Sequence, residues 1–443
     1  MIKKPWCILL VILVVCAILF PSCSSSTQTA TQTTTQAPAQ TAVKTSSLPA
    51  ASSSSAAASS APATTSSAAA STTAAAKTLQ IGSLVSLTGF ASASESLILD
   101  GQKLFQTWYN NQGGLTIAGQ KYNIEIVAED SQSTADGAAA AANKLVLDNG
   151  IQFVVGPVMP FMTVASGTVT EPNHVLRVAL YNAATPEEYG ADTPYTFIAN
   201  DCSLDFISPN MEYMKEAYPD LKTITVLSPD DGGPPYIEPV FKKKAEEEGL
   251  TLNEFVLWSL EATDLQPSVQ KALSSNPDAL YFINGWPIHM GSMLKAARQL
   301  GFTGPVFACH EDAYDIREVA GVENSTEFYT HNITIESSEM TPEIKEIIQL
   351  ANATYGKMSA TYVWGWSPVA CLMEAIEAAQ SVDPEVVKNT WEQMETIDTV
   401  YGEGRMGGLS TYGINHNVSA PMALTALKDG EVVWIKWQDV PLP

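Results

Sequence analysis

From Leu79 onward, short apolar runs alternate with longer stretches in which apolar residues recur every three or four positions. The first kind predicts strands and the second amphipathic helices. Residues 79–85 read as a strand that ends at the turn Thr88-Gly89. A helix carrying Leu99, Leu104, Trp108 and Tyr109 follows and stops at Gly113-Gly114. Residues 122–128 alternate apolar with polar side chains and end in Glu129-Asp130. The alanine-rich stretch 135–147 then predicts a helix closed by Asn149-Gly150. Residues 153–155 form a wholly apolar strand cut off by Gly156-Pro157, with a helix opening around Phe161. Residues 175–180 are the next strand, leading into Tyr181-Asn182-Ala183-Ala184-Thr185-Pro186. Strand, helix and strand in this rhythm predict a mostly parallel sheet covered by helices on both faces.

The rhythm restarts at 223–227, a strand that runs out in Ser228-Pro229-Asp230-Asp231-Gly232-Gly233. A helix over 240–248, a strand over 252–258, a helix over 266–273 and a strand over 279–283 follow. The last of these ends in Asn284-Gly285-Trp286-Pro287. A helix over 293–300 leads to the strand 305–309 and its acidic exit His310-Glu311-Asp312. The fold class is therefore α/β, with two Rossmann-like lobes built alike around mostly parallel sheets and facing across a cleft. The final third, with helices near 342–355 and 366–379, lacks a complete sheet of its own and is expected to be shared between the lobes. In open α/β sheets, ligands collect beyond the carboxyl ends of strands, where helix N-termini offer free N–H groups.

The N-terminus has a different pattern. Lys3 and Lys4 precede an unbroken apolar run from Ile8 to Phe20, then Pro21-Ser22-Cys23. This is an export signal over 1–22, too short for a comfortable membrane span. It resembles a bacterial lipoprotein signal, which implies lipidation of Cys23, although Phe20 and Pro21 depart from the usual pattern. Cleavage elsewhere, or retention as an uncleaved anchor, are the alternatives. Residues 24–76 are almost entirely Ser, Thr, Ala and Gln and cannot bury enough apolar surface to offset ordering entropy. With Cys23 they read as a disordered tether over 23–77, spanning roughly 40 Å on average. No later stretch is long and apolar enough to cross a bilayer.

The formal charge is −24, and more negative still without the signal's two lysines. An acidic surface without Lys/Arg clusters argues against nucleic acid and anionic lipid as partners. After Cys23 the cysteines are Cys202, Cys309 and Cys371, an odd number that allows one disulfide at most. The histidines, His174, His289, His310, His331 and His416, are scattered, so no metal or other cofactor is expected. No Ser-His-Asp order or phosphate loop is present, and Glu311 and Asp312, as adjacent residues on a strand, point to opposite faces. The chain does not read as an enzyme.

The order of several short motifs carries a resemblance. Ser86-Leu87-Thr88-Gly89, Asn111-Gln112-Gly113-Gly114-Leu115, Glu129-Asp130, Val155-Gly156-Pro157 and Ala183-Ala184-Thr185-Pro186 occur in sequence. Asp278-Ala279-Leu280-Tyr281-Phe282, Met290-Gly291-Ser292-Met293-Leu294 and Asp429-Gly430-Glu431-Val432-Val433 continue it. Together they resemble the branched-chain amino-acid-binding family of periplasmic proteins, the substrate-binding components of ABC importers. The resemblance implies a type I periplasmic binding fold: two lobes joined by three crossovers, expected near 199–202, 330–334 and 411–421. Lobe 1 would be 78–200 with 332–412, and lobe 2 would be 201–331 with 413–443. It also implies a monomer held outside the cytoplasmic membrane by the lipid on Cys23. Such a protein delivers a small ligand to ABC permease subunits by venus-flytrap closure. A ligand-sensing role for a chemoreceptor or sensor kinase is the alternative.

The resemblance carries over unevenly to the site. Where the family sets a Ser that holds the ligand carboxylate, this chain has Pro160, which has neither hydroxyl nor N–H. The family's Ala-Thr pair falls on Ala183 and Ala184, so a second hydroxyl is missing. Glu311 stands where the family's acidic residue meets the ligand ammonium, and Trp286 near its cleft aromatic. Asp230, Asp231 and Tyr236 lie on the loop that often carries a Tyr, and Ser92 and Ser94 in the first loop. Met159, Phe161, Met162, Tyr181 and Asn182 complete the expected wall. With carboxylate grips reduced and aromatic residues near, the expected ligand is a rather apolar amino acid, an amide or an aromatic acid.

Overall fold

A computed structural model describes residues 75–181, 185–200 and 202–441. The export signal, Cys23 and nearly all of the expected tether lie outside the described residues, as do Asn182, Ala183 and Ala184. No helix among the described residues is long and apolar enough to cross a membrane.

The strands, in chain order, are β1 (Lys77–Val85), β2 (Leu115–Ile117), β3 (Gln120–Asp130), β4 (Phe153–Val155), β5 (Leu176–Ala179) and β6 (Thr196–Ile198). A second set comprises β7 (Thr223–Pro229), β8 (Thr251–Trp258), β9 (Ala279–Phe282), β10 (Val306–Ala308) and β11 (Phe328–His331). The last are β12 (Thr396–Thr399), β13 (Gly402–Gly407), β14 (Asn417–Ser419), β15 (Met422–Lys428) and β16 (Glu431–Gln438). They form two sheets, ordered β12-β13-β14-β6-β5-β4-β1-β3-β2 and β16-β15-β11-β10-β9-β7-β8.

Both sheets have parallel centres. In the first, β1 lies between β3 and β4, with Ile81 opposite Ile126 and Gly82 opposite Val154. Strands covered on both faces read as unbroken apolar runs rather than alternating ones, and β4 is buried at every position. In the second, β7, β9, β10 and β11 run parallel, and β15 and β16 add antiparallel strands beside β11. Two α/β lobes of this kind are the fold that the strand–helix rhythm predicts.

The final third is divided between the lobes, β12–β14 joining the first sheet and β15–β16 the second. The chain crosses between them after β6, after β11 and between Ser419 and Met422. The last crossing comes later than a boundary at 412 would place it: β14 still pairs with β6 and β13. Three residues are too short a run for any periodicity to show.

On the first lobe, helix Ser92–Asn111 crosses helix Thr361–Ala379 at very close range. A Cβ on Gly101 would lie 2.2 Å from the Tyr362 carbonyl, and one on Gly365 would lie 2.1 Å from that of Ile98. Only hydrogen fits at either position, and the pair fixes how deeply the helices interlock.

Candidate functional site

The carboxyl ends of β5, β9 and β10 face one another across the gap between the sheets. Tyr181 follows β5 and is buried. Its hydroxyl hydrogen-bonds Ser203 Oγ at 2.7 Å and donates to Asn284 Oδ1 on the other lobe. Ser203 Oγ donates to the same Asn284 oxygen at 2.9 Å, and Asn284 Nδ2 donates to Asp231 Oδ2 at 3.1 Å. Asp231 Oδ1 in turn accepts the Gly233 N–H at 2.9 Å. Four side chains thus latch the lobes together across the cleft.

The turn after β9 presents Trp286. Asn284 and Gly285 both have left-handed φ, 51° and 104°, and a Cβ on Gly285 would press on the Trp258 ring at 3.0 Å. The chain then extends at Trp286 and enters helix Pro287–Gln299 with Pro at its first position, where the missing N–H costs nothing. Trp286 donates its backbone N–H to His289 Nδ1 at 3.2 Å. The indole is 4 % exposed, and its Nε1 finds no acceptor among the described residues.

After β10, adjacent acidic residues part ways. Asp312 caps helix Ala313–Ala320, its Oδ1 accepting from Tyr314 N–H at 2.9 Å. Its Oδ2 accepts the Ala360 N–H at 3.0 Å and the Ser359 hydroxyl at 3.2 Å, both from the first lobe. Glu311 instead turns into the cleft. Burial pushes its carboxyl well above the usual range, with the Asp312 and Asp315 charges adding and one backbone N–H opposing. His310 Nε2 stands 4.0 Å from Glu311 Oε1. The His310 ring packs against Tyr181 and Trp364 at 4.1 and 4.4 Å. Burial, with His331 close by, lowers its pKa to about 3, so the imidazole is neutral at ordinary pH.

Tyr181, Asp231, Asn284, Trp286, His310, Glu311 and Trp364, with Val158, Met159, Pro160 and Gly285, line one interlobe cavity. Two carboxyl groups, of Asp231 and Glu311, face it, and among the described residues no Lys or Arg does. From the first lobe the walls are Val158, Met159, Pro160 and Trp364, and opposite them Trp286. The Phe161 N–H, at the start of helix Pro160–Thr170, has no acceptor among the described residues. Free space amounts to about 10 Å³, room for about one water.

Of the residues expected here from sequence, Met159, Pro160, Tyr181, Trp286 and Glu311 line the cavity. Ser92, Ser94, Phe161, Asp230 and Tyr236 do not. Ser92 Oγ donates back to the Gly89 carbonyl at 2.9 Å, and Ser94 is half-buried in the same first turn of the helix. Asp230 is exposed, its N–H donated to the Trp258 carbonyl. Tyr236 points to the surface, where its hydroxyl donates to Glu187 Oε1 at 3.0 Å. The Phe161 side chain packs on the core beside the cleft. Met162 is fully buried behind it.

Val158, Asn284, Gly285, His310 and Trp364 are the cavity residues that the sequence did not single out, whereas Asp231 lies on the loop that it did. Val158, Gly285 and His310 each adjoin a position it chose, and Asn284 lies two residues before Trp286. Trp364 comes from a helix whose approach to the cleft depends on the interlobe crossing. Cys202, Cys309 and Cys371 are all buried free thiols. No group of His, Cys, Asp or Glu among the described residues could hold a metal ion.

Residues 78–431 match the family model described as periplasmic binding protein. A leucine-, isoleucine-, valine-, threonine- and alanine-binding protein of Pseudomonas aeruginosa is 27 % identical over 319 residues, 70 % of this chain and 81 % of that protein. A branched-chain amino acid transporter substrate-binding protein of Streptococcus pneumoniae, solved with isoleucine, has the same fold, with a TM-score of 0.68 at 19 % identity. It covers 83 % of this chain and 100 % of its own. A solute-binding protein of an ABC transporter from R. palustris, solved with benzoate, superposes with a TM-score of 0.69 at 16 % identity, covering 83 % and 98 %. The two-lobe fold, the cleft between carboxyl ends of strands and the family match agree: the chain belongs to the periplasmic binding protein family, as a binding protein and not an enzyme.

Proposed function

We propose that this protein captures a small amino-acid-like solute with a largely apolar body and an ammonium or comparable donor group. It would hand that solute to an ABC permease from a lipid anchor at Cys23. The observation that carries the ligand reading is Glu311, a buried carboxyl in the cleft with no cationic partner among the described residues. A ligand ammonium is the natural complement, because a buried carboxylate is costly unless paired. Trp286, Trp364, Met159 and Val158 supply apolar contact, and the Phe161 N–H can receive an anionic end. Support from relatives is consistent, since they include binders of leucine, isoleucine and benzoate by name.

The free space is far smaller than any amino acid, so entry requires the lobes to part, and closure traps the ligand. The moving bodies are the two sheets with their helices, pivoting at the three crossings. The test is calorimetry of the full chain against branched, aromatic and small amino acids, their amides and benzoates. An amino acid should bind, and Glu311→Gln should weaken it by about thirtyfold or more, from the roughly 2–5 kcal/mol carried by a buried charged hydrogen bond. Trp286→Ala should weaken every ligand. Unchanged affinity in Glu311→Gln refutes the ammonium reading and leaves a neutral or anionic aromatic ligand.

A further inference from the structure

A second recess lies on the flank of the first lobe, away from the cleft. It forms where helices Ser92–Asn111, Pro342–Tyr355 and Thr361–Ala379 meet the β12–β13 hairpin, and it holds about 400 Å³. That is within the roughly 300–1,000 Å³ of typical small-molecule sites.

Its floor is aromatic. Phe105, Trp108 and Trp366 lie 5.1–5.9 Å apart, ring centre to ring centre, with planes inclined at 41°, 53° and 89°. All three rings line the recess, Trp108 the more exposed and Phe105 and Trp366 set into the core beneath it. The glycine crossing builds this arrangement: Phe105 lies one turn beyond Gly101, and Trp366 directly follows Gly365. Trp108 is fixed by donating Nε1–H to Glu346 Oε1 at 3.0 Å.

Its rim is acidic. Glu343 and Glu346 come from one helix, and Asp398 and Glu403 sit directly opposite each other on the hairpin. Like charges in that position destabilise a strand pair. None of the four carboxylates forms an ion pair with Lys or Arg among the described residues. Glu374, behind the hairpin, accepts the Asp398 N–H at 3.1 Å, and burial followed by the Asp398 and Glu377 charges raises its carboxyl.

We propose that this recess is a second ligand site that takes a small organic cation with a methylated ammonium head. The π faces attract a cation within about 6 Å of their centres, and the uncompensated carboxylates set the sign. A compact, strongly hydrated ion gains little from rings that cannot replace its water. A methylated ammonium sheds water readily and fills apolar volume. A neutral apolar molecule would leave four mutually repelling carboxylates unrelieved.

The probe is choline, titrated into the full chain in detergent by calorimetry and tryptophan fluorescence, with its uncharged isostere 3,3-dimethylbutanol alongside. Choline should bind and the isostere should bind at least about tenfold more weakly. The double variant Asp398→Asn, Glu403→Gln, both at exposed positions, should weaken choline by about fivefold or more. Trp108→Leu should reduce the fluorescence response, Trp366 in the same floor keeping part of it. Glu311→Gln and Trp286→Ala should leave choline binding unchanged, which separates this site from the interlobe cleft. Equal binding of the isostere, native affinity in the double variant, or loss of choline with Glu311→Gln would each overturn the proposal.

Discussion

Glu95 provides a test of the electrostatics of the first lobe. It lies in the first turn of helix Ser92–Asn111 with no exposed surface. Its Oε2 accepts the Ser86 N–H at 2.5 Å, and Oε1 has no partner among the described residues. Burial pushes its carboxyl up to about 7, outweighing the Ser86 hydrogen bonds, and the Asp130 charge adds to the rise. A carboxyl raised in the folded state favours folding while it is protonated. That contribution is complete below the ordinary value of 4.5 and is lost as pH rises through about 7. Glu95→Gln keeps the acceptor for Ser86 but cannot ionise. Relative to the native chain, the variant should therefore gain about 2.5 kcal/mol between pH 5 and pH 8, since each tenfold change in proton affinity is worth about 1.4 kcal/mol. Any fixed cost of burying the amide, roughly 1–3 kcal/mol, applies equally at both pH values and cancels. Urea unfolding followed by tryptophan fluorescence at pH 5 and pH 8 measures the difference. A stability gap between native and variant that does not change with pH would refute the reasoning.

Three further expectations follow from the geometry. Gly101→Ala places a methyl 2.2 Å from the Tyr362 carbonyl; the forced separation of two helices should cost about 1–3 kcal/mol, more than the roughly 1 kcal/mol alanine gains in helix propensity, and should lower the denaturation midpoint. Closure over a ligand without a cation should take up about one proton, because the buried Glu311 carboxyl stays raised, whereas closure over an ammonium should take up almost none; calorimetry in buffers of different ionisation enthalpy tells the two apart. Mass spectrometry of protein from native-like membranes should find lipid on Cys23, and Cys23→Ser should leave the chain in the soluble fraction; an unmodified mature terminus would refute the anchor.

Most of the fold was legible because buried parallel strands write themselves as unbroken apolar runs. The run 279–283 and β9 differ by a single residue. The alanine-rich helix was also legible, although it finishes as a π-helical turn over Lys144–Asp148 before Gly150. Helix starts show late in the pattern, at 240 against Pro234 and at 293 against Pro287, because prolines in the first turn carry no apolar period. At the cleft, strand-end residues were readable and their neighbours were not. Whether Asp230 or Asp231 faces inward depends on one turn of backbone after β7. Whether Asn284 can reach Tyr181 depends on how far the lobes close. Neither is encoded in local spacing.

The division of the last third between the two sheets has a consequence for how the protein comes into being. β14, the innermost of the late strands in the first sheet, and β15, the partner of β11, are separated by only two residues near the C-terminus. Neither lobe can complete its sheet until almost the whole chain has been made. An emerging polypeptide therefore stays open until its final stretch arrives, a state compatible with threading through a narrow export channel. The same wiring means that neither lobe exists as a continuous piece of sequence. Cutting the chain at the second crossover divides both sheets, and cutting at the last strips β15 and β16 from the second sheet.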